Sequence, residues 1–168
     1  PLTVGVLADW PPEYFLAEDG TPQGFAVDVM EAVARQAGRT IRYRVYPDFP
    51  GANGALERGE IDVIPNLGVT AQRAGRVAFT APVETFEVVL VTRAASPPAE
   101  DLGDLAGRPV AVLRSNVGVE ISERDGRVRA VAFDDVRAAL FALLAGEVDG
   151  LIYPEPVIER LARAAGVE

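Results

Sequence analysis

The chain contains no cysteine and no histidine, and every basic side chain is arginine, because the sequence has no lysine. Without cysteine and histidine, Ser-His-Asp and Cys-His relays and thiolate or imidazole metal sites are excluded. Without lysine, Schiff-base chemistry and the lysine of a phosphate-binding loop are also excluded. Carboxylates, hydroxyls, tyrosine and arginine remain available for function, and we expect neither a metal ion nor a cofactor.

Excess positive charge and long apolar runs are also absent. The net charge of -9 at pH 7 disfavours binding to nucleic acid or to an anionic membrane surface. The apolar runs have the length of strands, such as Val88 to Val91, and are far shorter than the roughly 20 residues that cross a bilayer. The 168 residues, 49% of them hydrophobic, can bury a core as one domain or as two small lobes. A small solute is therefore the favoured partner.

Apolar periodicity alternates along the chain between the patterns of strands and helices. Short apolar strands are predicted over 2–7, 41–45, 61–64, 86–92, 109–113, 128–133 and 150–153. Amphipathic helices are predicted over 25–37, 136–144 and 157–165, each with a glycine just after its end (Gly38, Gly146 and Gly166). This alternation predicts an α/β protein with parallel sheets and right-handed crossovers.

A stretch rich in proline and small residues, Ala94 to Glu100, interrupts the alternation. We interpret it as the surface at which one lobe gives way to another, which predicts lobes over residues 1–92 and 93–168. Ligands of open α/β sheets bind at the carboxyl ends of the strands. We therefore expect the ligand in the crevice at the carboxyl ends of the strands.

Three segments resemble a known family. The first contains GVLADWPPEYF and GTPQGFAVDVMEAVARQAG, the second reads LERGEIDVIPNLGVTAQRAGRVAFTAPV, and the third combines LAGRPVAVL with LAGEVDGLI. In order and spacing they resemble the bacterial extracellular solute-binding proteins of family 3, and the resemblance covers nearly the whole chain. It implies the type II periplasmic-binding-protein fold, with mainly parallel sheets flanked by helices. It also implies a periplasmic or extracytoplasmic domain that closes on a small carboxylate or amino-acid-like solute and performs no chemistry.

The resemblance also implies roles for individual residues of the first lobe. Arg73 matches the arginine that binds a ligand carboxylate, and its planar guanidinium suits that task because it stays charged when desolvated. The alternative for Arg73 is a surface arginine in the turn after Thr70. Trp10 and Phe49 match aromatic walls on either side of the ligand, or are ordinary aromatics of the core or lobe edge.

Further positions match the part of the site that binds the polar head of the ligand. Asn66 and Gly68 match positions that offer polar groups and main-chain carbonyls. Ser115 and Asn116 match a loop whose N–H groups cradle an anion, although an ordinary helix N-cap is an open alternative. Gly68 replaces the family's usual hydroxyl residue, and Ser115-Asn116 replaces a Gly-Thr pair. The partner of a ligand ammonium is therefore open unless Glu155, which follows Pro154, provides it.

The two ends of the sequence carry expectations of their own. The chain starts at Pro1 without an apolar leader, so we expect any signal peptide or anchor to be removed or to lie outside it. Family members return from the second lobe to the first, and we expect that C-terminal segment to be missing here. Tyr153 to Pro156 resembles forms fused to transmembrane histidine kinases or cyclic-dinucleotide enzymes. This favours a sensory input domain, with a homodimer left open, over the solute-binding component of an ABC transporter with a permease partner.

Two other functions are weighed against binding alone. A periplasmic dehydratase of prephenate-like substrates would need a carboxylate acid or base, for which Glu13, Glu84 and Glu155 are candidates. Each has a structural alternative: Glu13 in a solvated proline-rich loop, Glu84 near the crossover between lobes, and Glu155 at the start of a helix. Nucleotide binding is disfavoured because the loop after the first strand lacks a glycine fingerprint.

Overall fold

A computed structural model of the chain describes residues 1–114 and 116–166. The chain divides into two compact units, Pro1–Val83 and Glu84–Glu168. Each unit combines a sheet with helices, which confirms the α/β class. No helix in the described part of the chain has both the length and the apolar character needed to cross a bilayer.

The first unit is built around a parallel pair of strands. Its elements are β1 (Leu2–Leu7), β2 (Asp9–Trp10), β3 (Tyr14–Leu16), β4 (Pro22–Gln23), α1 (Phe25–Gln36), β5 (Ile41–Tyr46), α2 (Phe49–Glu57) and α3 (Ala71–Ala74). Strands β1 and β5 pair in parallel, and β2, β3 and β4 form a small antiparallel sheet. The predicted strands 2–7 and 41–45 and the first predicted helix are therefore confirmed.

The core of the first unit lies between β1 and the helices. Its buried members are Val4, Val6, Leu7, Tyr14, Ala26, Val27, Met30, Ala34 and Ala52. Helix α1 contributes one face because its apolar residues recur at helical spacing. The chain leaves α1 through Gly38, whose φ of 62° lies in the left-handed region that favours glycine.

The strand predicted over 61–64 is present only as an isolated parallel bridge between Val63 and Val4. The N–H of Gly5 donates to the Val63 carbonyl over 2.8 Å. Pro65 follows shortly and has no N–H to continue a ladder. A run of apolar residues therefore gives a short contact with β1 and not a regular strand.

Helix α2 was not predicted, because Pro50, Gly51 and Gly54 weaken the helical pattern. Asp48 begins it by accepting a hydrogen bond from the Gly51 N–H at 2.8 Å. Proline is tolerated in the first turn, where its missing N–H would have no partner within the helix. The N-cap thus outweighs the poor helix propensity and places Phe49 at the first helical position.

The second unit has a larger, mixed sheet. Its elements are β6 (Val88–Val91), a 3-10 turn (Leu102–Leu105), β7 (Pro109–Leu113), α4 (Val117–Asp125), β8 (Arg129–Phe133), α5 (Val136–Ala145), β9 (Gly150–Pro154) and α6 (Glu155–Ala164). The strand order is β6-β9-β7-β8; β7 runs parallel to β8 and β9, and β6 runs antiparallel to β9. The predicted strands and the two predicted helices of this region are present.

The sequence-based boundary at 92/93 differs from the division at Val83–Glu84. Strand β6, which the boundary assigns to the first lobe, pairs with β9, and Val88 lies opposite Pro154. Pairing between strands so far apart in sequence leaves no local signal. The stretch Ala94 to Glu100 therefore lies inside the second unit.

Candidate functional site

Trp10 and Phe49 of the first unit contact each other. Their ring centroids are 5.1 Å apart at an interplanar angle of 82°, which is an edge-to-face contact. Trp10 also lies 6.2 Å from Tyr14, and both Trp10 and Phe49 pack partly buried against the core of this unit. In this arrangement no ligand fits between Trp10 and Phe49. The two rings form one aromatic surface, and they are also aromatics of the core edge.

Asn66 is held by the buried hydroxyl of Tyr14, a residue that the sequence analysis did not single out. The Tyr14 hydroxyl donates to the Asn66 carbonyl at 2.9 Å and accepts from the Asn66 N–H at 2.6 Å. Tyr14 has an exposure of 0%. A buried tyrosine needs a partner for its hydroxyl, so the aromatic residue after the Pro11-Pro12-Glu13 run was the available signal. Tyr14 thus fixes the main chain of Asn66 at both of its polar groups.

The side chain of Asn66 is held as well. Its Nδ2 donates to Oε2 of Glu13 at 3.0 Å. Glu13 is only 8% exposed, so the suggestion that it lies in a solvated loop is wrong. Burial of a carboxylate requires hydrogen bonds, and the Asn66 amide supplies one of them.

The loop that carries Glu13 is attached to the start of α1. The carbonyls of Pro12 and Glu13 accept hydrogen bonds from the N–H groups of Phe25 and Ala26 at 3.1 and 3.3 Å. Gly24 has a φ of 124°, and a β-carbon on it would overlap with the Glu13 carbonyl group. Only glycine therefore lets the loop dock this closely on the helix.

Arg73 lies in the short helix α3, which begins at Thr70. The Thr70 hydroxyl accepts from the Arg73 N–H at 3.2 Å, and Nη1 of Arg73 donates to the Gly68 carbonyl at 2.9 Å. Arg73 is partly buried. The guanidinium is thus oriented by the main chain of the segment that precedes α3, and this segment carries both Asn66 and Gly68.

The remaining predicted site residues belong to the second unit. Asn116 is the N-cap of α4 but makes no side-chain capping bond, and its buried Oδ1 has no hydrogen-bond partner among the described residues. Glu155 begins α6 and is partly buried, and its N–H donates to the Glu87 carbonyl at 2.9 Å. Ser115 lies outside the described residues. Asn116 and Glu155 therefore stay predictions on this unit.

The donor set of the described residues offers no metal centre. Within residues 1–114 and 116–166, no cluster of three or more carboxylates is placed to hold a metal ion. Oriented hydrogen-bond donors, a buried carboxylate and an aromatic surface are what the first unit presents. Such groups suit recognition of a small polar molecule.

Comparison with known sequences gives a consistent picture. Probable amino-acid-binding protein YxeM of Bacillus subtilis is 28% identical over 154 residues, which cover 89% of this chain and 58% of YxeM. Virulence sensor protein BvgS of Bordetella bronchiseptica is 32% identical over 114 residues, covering 66% of this chain and 9% of BvgS. The chain spans less than two thirds of the length of these relatives.

Solved structures share the fold. A histidine kinase sensor domain with similarity to periplasmic binding proteins gives a TM-score of 0.86 at 30% identity, covering 98% of this chain and 72% of that one. Arginine-bound, truncated ArgBP from T. maritima gives 0.80 at 29% identity, covering 97% of this chain and 77% of that one. These likenesses confirm the predicted periplasmic-binding-protein fold.

The family assignment comes from the sequence itself. The model of the bacterial extracellular solute-binding proteins, family 3, matches residues 2–145, which is most of the chain. The matched region includes the segments that carry Trp10, Asn66 and Arg73. This chain therefore belongs to the bacterial extracellular solute-binding proteins of family 3.

Proposed function

We propose that the chain is an extracytoplasmic domain that binds an amino acid or a closely related carboxylate. The observation that carries the proposal is the orientation of Arg73, whose Nη1 donates to the Gly68 carbonyl at 2.9 Å. An arginine held in this way loses little entropy when it binds a carboxylate through a bidentate pair of hydrogen bonds. Relatives and structural neighbours named as amino-acid-binding or arginine-bound support this ligand class.

Other residues complete the proposed site. The aromatic surface of Trp10 and Phe49 contacts the apolar or planar part of the ligand, since aromatic faces bind such groups well. Asn66 and Gly68 provide polar contacts close to Arg73 in sequence. Ser115, Asn116 and Glu155 are proposed ligand contacts contributed by the second unit.

The test is a comparison of two neighbouring arginines. Isothermal titration calorimetry with L-arginine and L-glutamine is run on the purified chain and on Arg73→Met and Arg76→Met. Arg76 is exposed, lies two residues beyond the end of α3 and pairs with Glu57 at 3.6 Å, so it has the same charge as Arg73 but not its proposed role. We expect Arg73→Met to weaken binding by at least about 30-fold, because truncation of a charged hydrogen-bonding partner is costly.

The control and the contrary outcomes are distinct. Arg76→Met should bind with unchanged affinity. Equal affinities of Arg73→Met and the unsubstituted chain would remove Arg73 from the site. If neither amino acid, nor any member of a panel of amino acids and dicarboxylates, raises the melting temperature, the ligand class is wrong, because a ligand of the native state must raise it.

We further propose that the domain provides sensory input to a transmembrane signalling protein. The likeness to BvgS and to a histidine kinase sensor domain supports this role. Transport is the second candidate, supported by the likeness to ABC transporter arginine-binding protein 1 of Escherichia coli, at 23% identity over 159 residues. The complete natural protein decides between them. A membrane-spanning segment joined to a kinase or cyclase favours sensing, and a free binding protein encoded with a permease contradicts it.

We also propose that the domain binds without performing chemistry. Glu13, Glu84 and Glu155 are the carboxylates that a dehydratase mechanism would use. Turnover of prephenate or arogenate by the purified chain, lost in Glu13→Gln, would contradict binding alone.

A further inference from the structure

Helix α1 has apolar residues on two faces, and the core of the first unit covers one of them. The covered face consists of Ala26, Val27, Met30 and Ala34. On the other side of the helix, Phe25 is 44% exposed, Val33 is 52% exposed, Ala32 is exposed and Val29 is partly buried. We call these four residues the outer face of α1. One apolar face is enough to hold a helix on its core, so the outer face needs a separate explanation.

Exposed apolar residues continue from α1 onto the neighbouring strand. Strand β3 contacts α1, and its residues Phe15 and Leu16 are both exposed. Apolar surface that extends over adjacent elements and is bordered by polar residues marks a site of association. The residues that border the outer face therefore indicate what binds there.

Two charged residues border the outer face. Asp28 and Arg35 are exposed, and no ion pair within residues 1–114 and 116–166 includes either side chain. Asp28 belongs to the first turn of α1 and Arg35 to the last. Arg35 follows Asp28 by seven positions, which is about two turns of helix, so the two side chains lie on the same side of α1. The border is therefore negative near the start of the helix and positive near its end.

A helix face of this kind is complementary to itself in one orientation. In an antiparallel pair of α1 helices related by a two-fold axis, Asp28 of each copy lies opposite Arg35 of the other copy, and Val29 lies close to Val33. The antiparallel orientation also aligns the two helix dipoles favourably. Ala32, close to the axis, has a small side chain that lets the two helices approach each other. In a parallel pair, each charge would meet its like.

We infer that two copies of this chain associate antiparallel through the outer face of α1, which buries Phe25, Val29 and Val33 between them and forms two Asp28–Arg35 ion pairs. The partner is a second copy, because the charge pattern of the face supplies its own complement. Each copy contributes one helix of 12 residues and the adjacent strand, which is less than a standard interface, so we expect a dissociation constant of micromolar order. The inference does not depend on the proposed ligand site.

Sedimentation equilibrium of the purified chain over a series of concentrations measures this association. In Val33→Ser the outer face becomes more polar, whereas the helix is kept because serine and valine have similar helix propensities. We expect the dissociation constant to rise about tenfold, since both copies lose apolar surface at the interface. Phe141→Ser is the control. Phe141 is a 67% exposed apolar residue of helix α5 in the second unit, and its substitution should leave the dissociation constant unchanged.

An exchange of the two charges tests the antiparallel orientation. Asp28→Arg and Arg35→Asp each place two pairs of like charges across the interface, and each should raise the dissociation constant by at least about tenfold. The double variant Asp28→Arg/Arg35→Asp restores both pairs of opposite charge and should regain the original dissociation constant. All three variants oppose the helix dipole, so recovery in the double variant cannot come from a more stable helix. Far-ultraviolet circular dichroism checks that each variant is folded.

The contrary outcomes are distinct. A chain that stays monomeric at concentrations well above the micromolar range overturns the inference. Association that Phe141→Ser weakens as much as Val33→Ser does, or a double charge variant as weak as the two single variants, also overturns it. If Val33→Ser does not fold, the charge exchange decides by itself. If the complete natural protein is monomeric while this chain associates, another segment of that protein covers the outer face, and the inference is wrong.

Discussion

The two units of this chain obtain their order in different ways. The second unit has a four-stranded sheet in which β7 has partners on both sides, and Val110, Ala111 and Val112 are at most 1% exposed. The first unit has a two-stranded parallel sheet and a small antiparallel sheet, and its candidate site lies on short elements and on the segment before α3. A backbone ladder organises the second unit, whereas single side-chain to main-chain bonds organise the site of the first. The bonds of Tyr14 to Asn66 and of Thr70 to Arg73 are examples.

The second unit also contains long-range polar contacts, which are made by two arginines and a shared carboxylate. Nη1 of Arg93 donates to the carbonyls of Leu143 and Val148 at 2.7 and 2.6 Å, and its Nη2 lies 3.2 Å from Asp149. Arg108 donates twice to the same carboxylate, at 3.1 and 2.7 Å. These bonds hold the turn before β9 to the segment after β6, so the charged side chains here support the packing of the sheet.

The largest effect is expected from Gly24→Ala. An alanine at this position would have to adopt a φ of 124°, and its β-carbon would overlap with the Glu13 carbonyl. We therefore expect the free energy of unfolding of the first unit to fall by about 3 kcal/mol or more. Urea unfolding followed by the fluorescence of Trp10, the single tryptophan, reports on this unit. Gly20→Ala is the control: its φ is 81° but nothing lies within 4 Å, so only the backbone strain of about 1 kcal/mol is expected.

Equal losses in the two alanine variants would show that the close approach at Gly24 is not needed. The docking of the Glu13 loop on α1 would then not be the feature that orders the candidate site. Hydrogen bonds of single loop residues would then not be what orders the first unit.

A smaller effect is expected from Asp149→Asn in the second unit. The Asp149 side chain is 16% exposed and pairs with two arginines. We expect the free energy of unfolding to fall by about 2 kcal/mol, because both guanidinium groups lose their counter-charge. Urea unfolding followed by far-ultraviolet circular dichroism measures the loss. Asp134→Asn, at an 81% exposed partner of Arg114, should change stability by less than about 0.5 kcal/mol.

The same samples sharpen the comparison between the units. If Asp149→Asn moves the circular dichroism transition but leaves the Trp10 transition in place, the two units unfold separately. A shift of both transitions by the same amount would show a single cooperative unfolding.

The smallest effect concerns Tyr43, whose hydroxyl donates to Glu31 at 2.9 Å. Burial, followed by this hydrogen bond and the charge of Glu31, raises the pKa of Tyr43 well above its usual value. The unfolded tyrosine therefore loses its proton first. Stability is fully present below about pH 10 and declines as the pH rises further.

Urea unfolding at pH 8 and at pH 11 measures this decline. In Tyr43→Phe the decline in stability between these two pH values should be shallower. The substitution should lower the free energy of unfolding at neutral pH by less than about 1 kcal/mol. Lysine, cysteine and histidine are absent, so tyrosines are the side chains that titrate in this range. Glu31→Gln, which keeps a hydrogen-bond acceptor but removes the charge, should give an intermediate slope. An unchanged slope in Tyr43→Phe would contradict the raised pKa.

The elements that could be predicted from the sequence are those with strong periodicity. Strands β1, β5, β7 and β9 are apolar runs, and α5 lies between a capping aspartate and Gly146, whose φ is 81°. Helix α2 was missed because Asp48 supports a sequence of poor propensity. The strand at 61–64 was overpredicted because a periodic pattern does not reveal whether a partner strand is available.

The candidate site likewise has residues that could be predicted from the sequence and contacts that could not. Residue type and motif pointed to Arg73, Asn66 and Trp10, because guanidinium, amide and indole chemistry can be recognised without coordinates. Neither the bond between Glu13 and Asn66 nor the role of Tyr14 could be predicted, since each joins residues more than 50 positions apart. Hydrogen-bond partners at such separations depend on how the loops pack.

The sequence by itself determined the α/β class, the family and the chemical groups available for binding, because these follow from periodicity, motif spacing and composition. The tertiary structure alone decided that β6 pairs in the second unit, that Trp10 and Phe49 contact each other, and that Glu13 is buried against Asn66. The physical reason is that local patterns record which faces are apolar and which residues cap helices. Burial and hydrogen bonding between distant residues arise only when the chain has packed.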